Sequence, residues 1–347
     1  MSLRGRHIID RIKRSVSHRL KLPSPPYGKP GYWDGVYEKL GPNDTYEWGD
    51  FTISQDLLSH QYDSALYQGD VTKYGFRSSP SLVESELAED NHPLVTTTFG
   101  EAIGIPPNLD DNNDNTTTTQ PKKIMLLGCG NSRMGEELLL NGYHNPSHYK
   151  IYQVDVSNQV ITTMKQRHEY FISTSSTTPY LTSDESIMEF INDDATSLQS
   201  FESNSIDSII DKGLVDALFC ADEYEMIHDV LSSVHRVLKT NDNGETDAGV
   251  FNVFSYSRPE FLMGRTFDAS SSLDGTTSGG VMVNKKNKEM WQELQIRALD
   301  HILMYRFVKA SSSSLKSDKE EINLKGKKWK HLPQRGKKRR VSVSKRK

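Results

Sequence analysis

Residues 124–127, Ile-Met-Leu-Leu, run without a polar break straight into Gly128-Cys129-Gly130, and no other junction limits the possible folds so strongly. A short continuous apolar run suits a strand covered on both faces, and the glycines end it abruptly. Residues 134–141 then read as a helix, stopped by Gly142. A strand that enters a helix through glycines lets a ligand approach the backbone, with the helix N-terminus facing it. Taken alone, the tripeptide describes a plain tight turn equally well.

The pattern repeats downstream. Residues 151–156 read as a second strand, 159–170 as a helix, and 188–191 and 206–210 as strands three and four. The strongest helix spans 223–239, with Met226, Val230, Val234 and Val237 on one face, and 250–254 makes a fifth strand. Alternating strands and helices predict parallel strands, right-handed crossovers and a sheet covered on both faces. Residues 291–298 and 302–308 are two β-rich runs with a short turn between them, which suits an antiparallel hairpin on the end of the sheet.

Ligands of open α/β sheets bind outside the carboxyl ends of the strands, so the residues there carry the chemistry. After Gly128 and Gly130 the third position of a dinucleotide fingerprint falls on Arg133, which lowers the nicotinamide reading. Asp155 closes strand two, where a carboxylate can accept from both hydroxyls of a ribose; a helix cap is the plainer role for it. Asp194, in Asn192-Asp193-Asp194-Ala195, can accept from an adenine amino group while Ala195 packs on the ring, with Asp193 as the adjacent alternative. Strand four ends in Asp211-Lys212-Gly213-Leu214-Val215-Asp216-Ala217-Leu218.

These residues, with Tyr32-Trp33-Asp34-Gly35-Val36-Tyr37 and Tyr46-Glu47-Trp48 upstream, resemble the methyltransferase-like family that includes the eukaryotic elongation factor 1A lysine methyltransferases. The resemblance covers roughly residues 31–60 and 122–310. It implies an α/β, Rossmann-like seven-stranded class I methyltransferase sheet with helices on both faces and a C-terminal antiparallel β-hairpin. It also implies S-adenosylmethionine as cofactor, contacted by Trp33, Tyr37, Trp48, Gly128, Cys129, Gly130, Asn131, Asp155, Val156, Asp194, Ala195 and Lys212. Two departures bear on substrate choice: Leu214-Val215 replaces the family's Thr-Leu, and the insertions at 61–121 and 265–290 are long.

The resemblance implies methyl transfer to a protein lysine, with a translation factor as the partner. Such a transfer is a direct displacement that needs alignment and no metal. Asp211 and Asp216 are the candidates for positioning the acceptor amine, and either could instead cap the helix after strand four. Aromatic faces over the crevice attract cations and exclude water, although each ring is as easily core packing. Strand four lacks the Asn/Asp-Pro-Pro-Tyr/Phe motif of many base and glutamine methylating enzymes, which weighs against nucleic acid at the active site. A small-molecule methyltransferase and a non-catalytic scaffold of the same fold stand as alternatives.

Charge supports a cationic partner. The net charge is -4, but residues 325–347 carry +12 and residues 1–22 carry +6, which leaves -22 on residues 23–324. An acidic body favours a basic protein over a polyanion. The lone Cys129 and Cys220 permit neither a disulfide framework nor a zinc cluster. No apolar run approaches the ~20 residues of a membrane span.

Five segments are expected: a basic amphipathic stretch and Pro-rich linker at 1–30, an aromatic cap at 31–60, a largely disordered insertion at 61–121, the methyltransferase domain at 122–310, and a basic disordered tail at 311–347. The stripe Ile8, Ile12, Val16 and Leu20 reads as a solvated helix, a mitochondrial presequence or a membrane-surface contact. The tail reads as an import signal, a passive end or a nucleic-acid contact. A cytoplasmic protein is expected, with nucleus and mitochondrion left open.

Overall fold

The computed structural model describes residues 24–40, 44–46, 62–63, 96–97, 99–107, 120–174, 187–240, 248–266, 290–299 and 302–309. The amphipathic stripe, Trp48, most of the two insertions and the basic tail lie outside the described residues.

Seven strands form one sheet: β1 (Lys122–Leu127), β2 (Tyr149–Asp155), β3 (Met188–Asn192), β4 (Ser208–Asp211), β5 (Val250–Ser255), β6 (Trp291–Leu299) and β7 (Ile302–Lys309). Their order is β3-β2-β1-β4-β5-β7-β6. The first five are parallel, and β7 is antiparallel to both β5 and β6. This is the class I methyltransferase sheet, Rossmann-like with a closing hairpin. Chain order reverses between β1 and β4, so their carboxyl ends splay apart and open the crevice there.

Among the described residues, seven helices accompany the sheet: α1 (Pro30–Tyr37), α2 (Phe99–Ile103), α3 (Met134–Leu140), α4 (Asn158–Thr174), α5 (Leu214–Cys220), α6 (Tyr224–Val237) and α7 (Pro259–Thr266). Successive side chains of a strand point to opposite faces, and β1 divides accordingly. Met125 and Leu127 join the cluster that holds Val230, Val234 and Val237 of α6. Ile124 and Leu126 join the one that holds Leu138 of α3 and Phe99 and Ile103 of α2. The uninterrupted apolar run is thus the consequence of cover on both sides.

One segment departs from expectation. Phe99, Ile103 and Ile105, inside the stretch taken as too polar to bury, are buried against the sheet. The hydroxyls of Tyr143 and Tyr149 donate to the carbonyls of Ile105 and Pro106, each at 2.8 Å, and hold this piece down. A few apolar residues at helical spacing are diluted in an average taken over sixty positions. Met226, on the packed face of α6 as expected, packs against the cluster of Val230, Val234 and Val237 and also lines the crevice. No helix among the described residues is long and apolar enough to cross a membrane.

Candidate active site

The turn after β1 is built around two glycines in the left-handed region, Gly128 at φ 60° and Gly130 at φ 51°. Both are also crowded. A Cβ on Gly128 would lie 2.8 Å from Leu214 Cβ, and one on Gly130 would lie 2.7 Å from the Tyr37 hydroxyl. Only glycine satisfies backbone and neighbours at these positions. Arg167 of α4 braces the turn from behind. Its guanidinium pairs with Glu136 at 2.8 Å and donates to the carbonyls of Asn131, at 2.7 Å, and Ser132. The sequence offers no local signal for this residue, which stands 36 positions from Asn131.

Asp155 ends β2 facing that turn. Its Oδ2 accepts from the Gly130 amide and its Oδ1 from the Ser157 amide, both at 2.9 Å. Burial pushes its pKa up, while these amides pull in the other direction. A carboxylate offers about four acceptor positions, so two remain for vicinal hydroxyls. Next to it, the Cys129 thiol is held well above its ordinary pKa by burial first and by the Asp155 charge second, which keeps it a neutral wall group.

At the end of β3, Asp194 Oδ1 accepts from both the amide and the hydroxyl of Thr196 at 2.8 Å. Asp193 binds the amides of Asp194 and Ser200, each at 2.8 Å. Of the two, Asp193 is spent on shaping the loop through both oxygens. Among the described residues none hydrogen-bonds Asp194 Oδ2.

α1 forms the roof. Tyr37 packs on Val160, Ile161 and Met164 of α4, and Asp34 accepts from the Ser157 hydroxyl. Trp33 stacks on Tyr37 at 6.0 Å and on Tyr27 at 5.7 Å between ring centroids, and its Nε1 donates to the Tyr27 carbonyl at 2.7 Å. Asn131 ties down the rest of the N-terminal segment: its Oδ1 accepts from the Tyr46 amide at 2.6 Å and its Nδ2 donates to the Asp44 carbonyl at 2.7 Å. Asn131 itself does not line the crevice. It acts through the residues it clamps.

One cavity, with about 980 Å³ of open space, joins these parts. Trp33, Tyr37, Gly128, Cys129, Gly130, Asp155, Val156, Asp194, Ala195 and Lys212 all line it. So do Tyr46 and Leu218, and Tyr27, Gly28 and Met226, which carry no motif of their own. Pattern reading missed Tyr27 and Gly28 because they sit in what reads as linker.

Asp211 and Asp216 do not line the cavity, which corrects their assignment to the acceptor amine. Asp211 is fully buried and accepts from the amides of Leu214, at 2.7 Å, and Val215, at 3.0 Å. It caps α5. Burial raises its pKa to about 7. Asp216 accepts from the Ser255 hydroxyl, from the Tyr256 amide at 3.0 Å and from the Ser257 hydroxyl at 3.2 Å. It fastens the end of β5 to α5.

Sheet order, left-handed glycine turn, cavity-lining Asp155 at the end of β2 and acidic β3 end define a class I S-adenosylmethionine-dependent methyltransferase domain. The cradle fits S-adenosylmethionine as its cofactor: the space that a Cβ would fill at Gly128 and Gly130 stays open beside a carboxylate with acceptor positions to spare.

Residues 125–242 match the family model described as "Methyltransferase domain". The chain is 28% identical over 128 residues to the eEF1A lysine and N-terminal methyltransferase homolog of Drosophila melanogaster, a match covering 37% of this chain and 16% of that protein. To the eEF1A lysine and N-terminal methyltransferase of Mus musculus it is 32% identical over 124 residues, covering 35% and 15%. The chain thus spans about a sixth of the length of these curated relatives. The crystal structure of the CurJ carbon methyltransferase aligns at TM-score 0.37 and 11% identity, over 57% of this chain and 51% of that one.

Proposed function

We propose that this domain methylates a lysine side chain of a protein, acting in the cytoplasm. The observation that carries this reading is the make-up of the cavity. Beyond the glycines and acids that suit a nucleoside, its walls are the Tyr27 and Trp33 rings with Leu214, Ala217, Leu218 and Met226. Such a lining suits a long aliphatic side chain ending in an amine, with the rings favouring cationic charge. The relatives' activity, named as eEF1A lysine and N-terminal methyltransferase, supports the same reading.

When bound, S-adenosylmethionine supplies an electrophilic methyl group on a sulfonium. The chain's own residues do the rest. Asp155 and the glycine turn set the nucleoside's position, and Trp33, Tyr37 and Tyr27 keep water from the roof side. An acceptor ammonium entering between these apolar walls loses hydration, which lowers its pKa and eases loss of the proton to solvent. Holding amine and methyl in line at ~3 Å then contributes several kcal/mol.

The test is transfer of labelled methyl from S-adenosylmethionine to purified eEF1A and to a cell lysate, with the modified atom located by peptide mass spectrometry. Label on a lysine Nζ is the expected result. Label confined to small molecules would replace this reading with the small-molecule alternative, and label on an N-terminal amine would change the acceptor class.

A further inference from the structure

The turn between α5 and α6 carries an acid that its local structure does not use. Glu223 occupies the N-cap position of α6, where a side chain ordinarily turns in to accept from the first helical amides, yet it makes no capping hydrogen bond. It turns instead toward the roof. A Cβ placed on Gly28 would lie 3.0 Å from Glu223 Cγ and 3.2 Å from its Oε1. Gly28 and Met226, on either side of this contact, both line the cavity. Glu223 does not itself line the cavity, but its side chain stands beside two residues that do, at the seam where the segment before α1 meets α6 and so at the edge of the cavity. No described residue pairs with it, the exposed Lys29 included.

The surface outside that lip has a definite character. Asp222, Glu225 and Asp229 are exposed on the same turn and the following helix face. Asp222 is held at φ 57° with its carboxylate accepting from the Tyr224 hydroxyl at 2.9 Å. Beside them runs an aromatic ridge, Tyr224 against Phe219 at 6.0 Å and Phe219 against Phe261 at 5.4 Å. Phe261 ends the ridge 44% exposed, a large apolar group that the fold covers only in part. An acidic edge flanked by an exposed ring complements an extended basic segment that also carries an apolar side chain.

We infer that the α5–α6 turn is the docking edge for a basic, lysine-bearing segment of the protein substrate, with Glu223 as the positioning residue that receives the acceptor ammonium at the cavity lip. The inference rests on the protein-lysine reading above. Phe261 takes an apolar neighbour of the acceptor, and Glu225 and Asp229 take flanking basic residues.

The experiment compares the parent with Glu223→Gln, Phe261→Ala and the double change Glu225→Lys, Asp229→Lys. Cofactor affinity is read by calorimetry and kcat and KM by methyl transfer to the protein substrate. Each variant is expected to bind cofactor within about twofold of the parent. Glu223→Gln should raise KM by about tenfold, the scale of one partly exposed charge-assisted hydrogen bond, and Glu223→Asp should recover part of that. The double change should raise KM and flatten its dependence on salt. A Glu223→Gln variant with unchanged KM in an otherwise active enzyme would overturn the docking edge and leave the lysine reading standing. Loss of cofactor affinity in step with activity would overturn it too, by moving Glu223 into the nucleoside site. A parent that methylates no protein would overturn both.

Discussion

The Gly130 amide donates to Asp155 Oδ2 at 2.9 Å, so the turn after β1 and the end of β2 are joined directly where both line the cavity. The same carboxylate holds the glycine turn and, on the proposed reading, would also receive the sugar, which would make rigidity of the turn and affinity for the nucleoside one property of one side chain.

Replacing Asp155 with Ala should weaken S-adenosylmethionine binding by at least tenfold in calorimetry. Hydrogen bonds to a charged acceptor contribute about 1.5–3 kcal/mol each, and two to the sugar are lost together. In the parent, affinity should hold at neutral pH and fall as acid protonates the carboxyl, starting above the usual aspartate range because burial raises its pKa. Equal affinity in parent and variant would remove Asp155 from the site.

Gly130→Ala meets two obstacles, a left-handed φ of 51° and the Tyr37 hydroxyl 2.7 Å from the new methyl. The backbone strain costs about 1 kcal/mol in an ordinary residue. Adding Tyr37→Phe removes the second obstacle and leaves the first. The double variant should regain part of the cofactor affinity lost by the single one; if it regains none, the roof does not rest on the glycine turn as described.

Arg167→Met should destabilise the fold by about 3 kcal/mol or more, since it leaves Glu136 buried without its partner. Thermal unfolding of Glu136→Leu, of Arg167→Met and of the pair makes a double-mutant cycle. The pair should be less damaged than the sum of the singles. Simple additivity would show the ion pair to be uncoupled.

Asp211 has a folded pKa of about 7 against an ordinary value of 3.8. Between roughly pH 4 and 7 the folded chain therefore keeps a proton that the unfolded chain has released. The sign is the reverse of a salt-bridged aspartate: the contribution to stability is greatest below the lower value, declines as pH rises across the window by at most about 1.4 kcal/mol per pH unit, and is flat above it. Asp211→Asn stays neutral throughout. Its melting temperature relative to the parent should rise from pH 5 to pH 8, and a constant difference over that range would show that Asp211 ionises normally.

The sequence by itself determined the alternation of strands and helices, the closing hairpin and the glycine turn with its acidic strand ends. Each is written in neighbouring residues: the apolar run 124–127 needs cover on both faces wherever it lies, and Gly128 and Gly130 permit a turn that other residues resist. Boundaries came within a few residues, because patterning marks an element's middle better than its ends. Tertiary structure decided what each acid does. Asp155, Asp211 and Asp216 are alike in sequence, each at or just after a strand's carboxyl end, yet one faces the cavity and two are consumed by amides and hydroxyls. It also brought in Arg167, Tyr27 and Gly28, which meet the site across spans of chain that carry no local periodicity. A side chain's role follows from which groups reach it first in space, and that order is set only when the sheet is assembled.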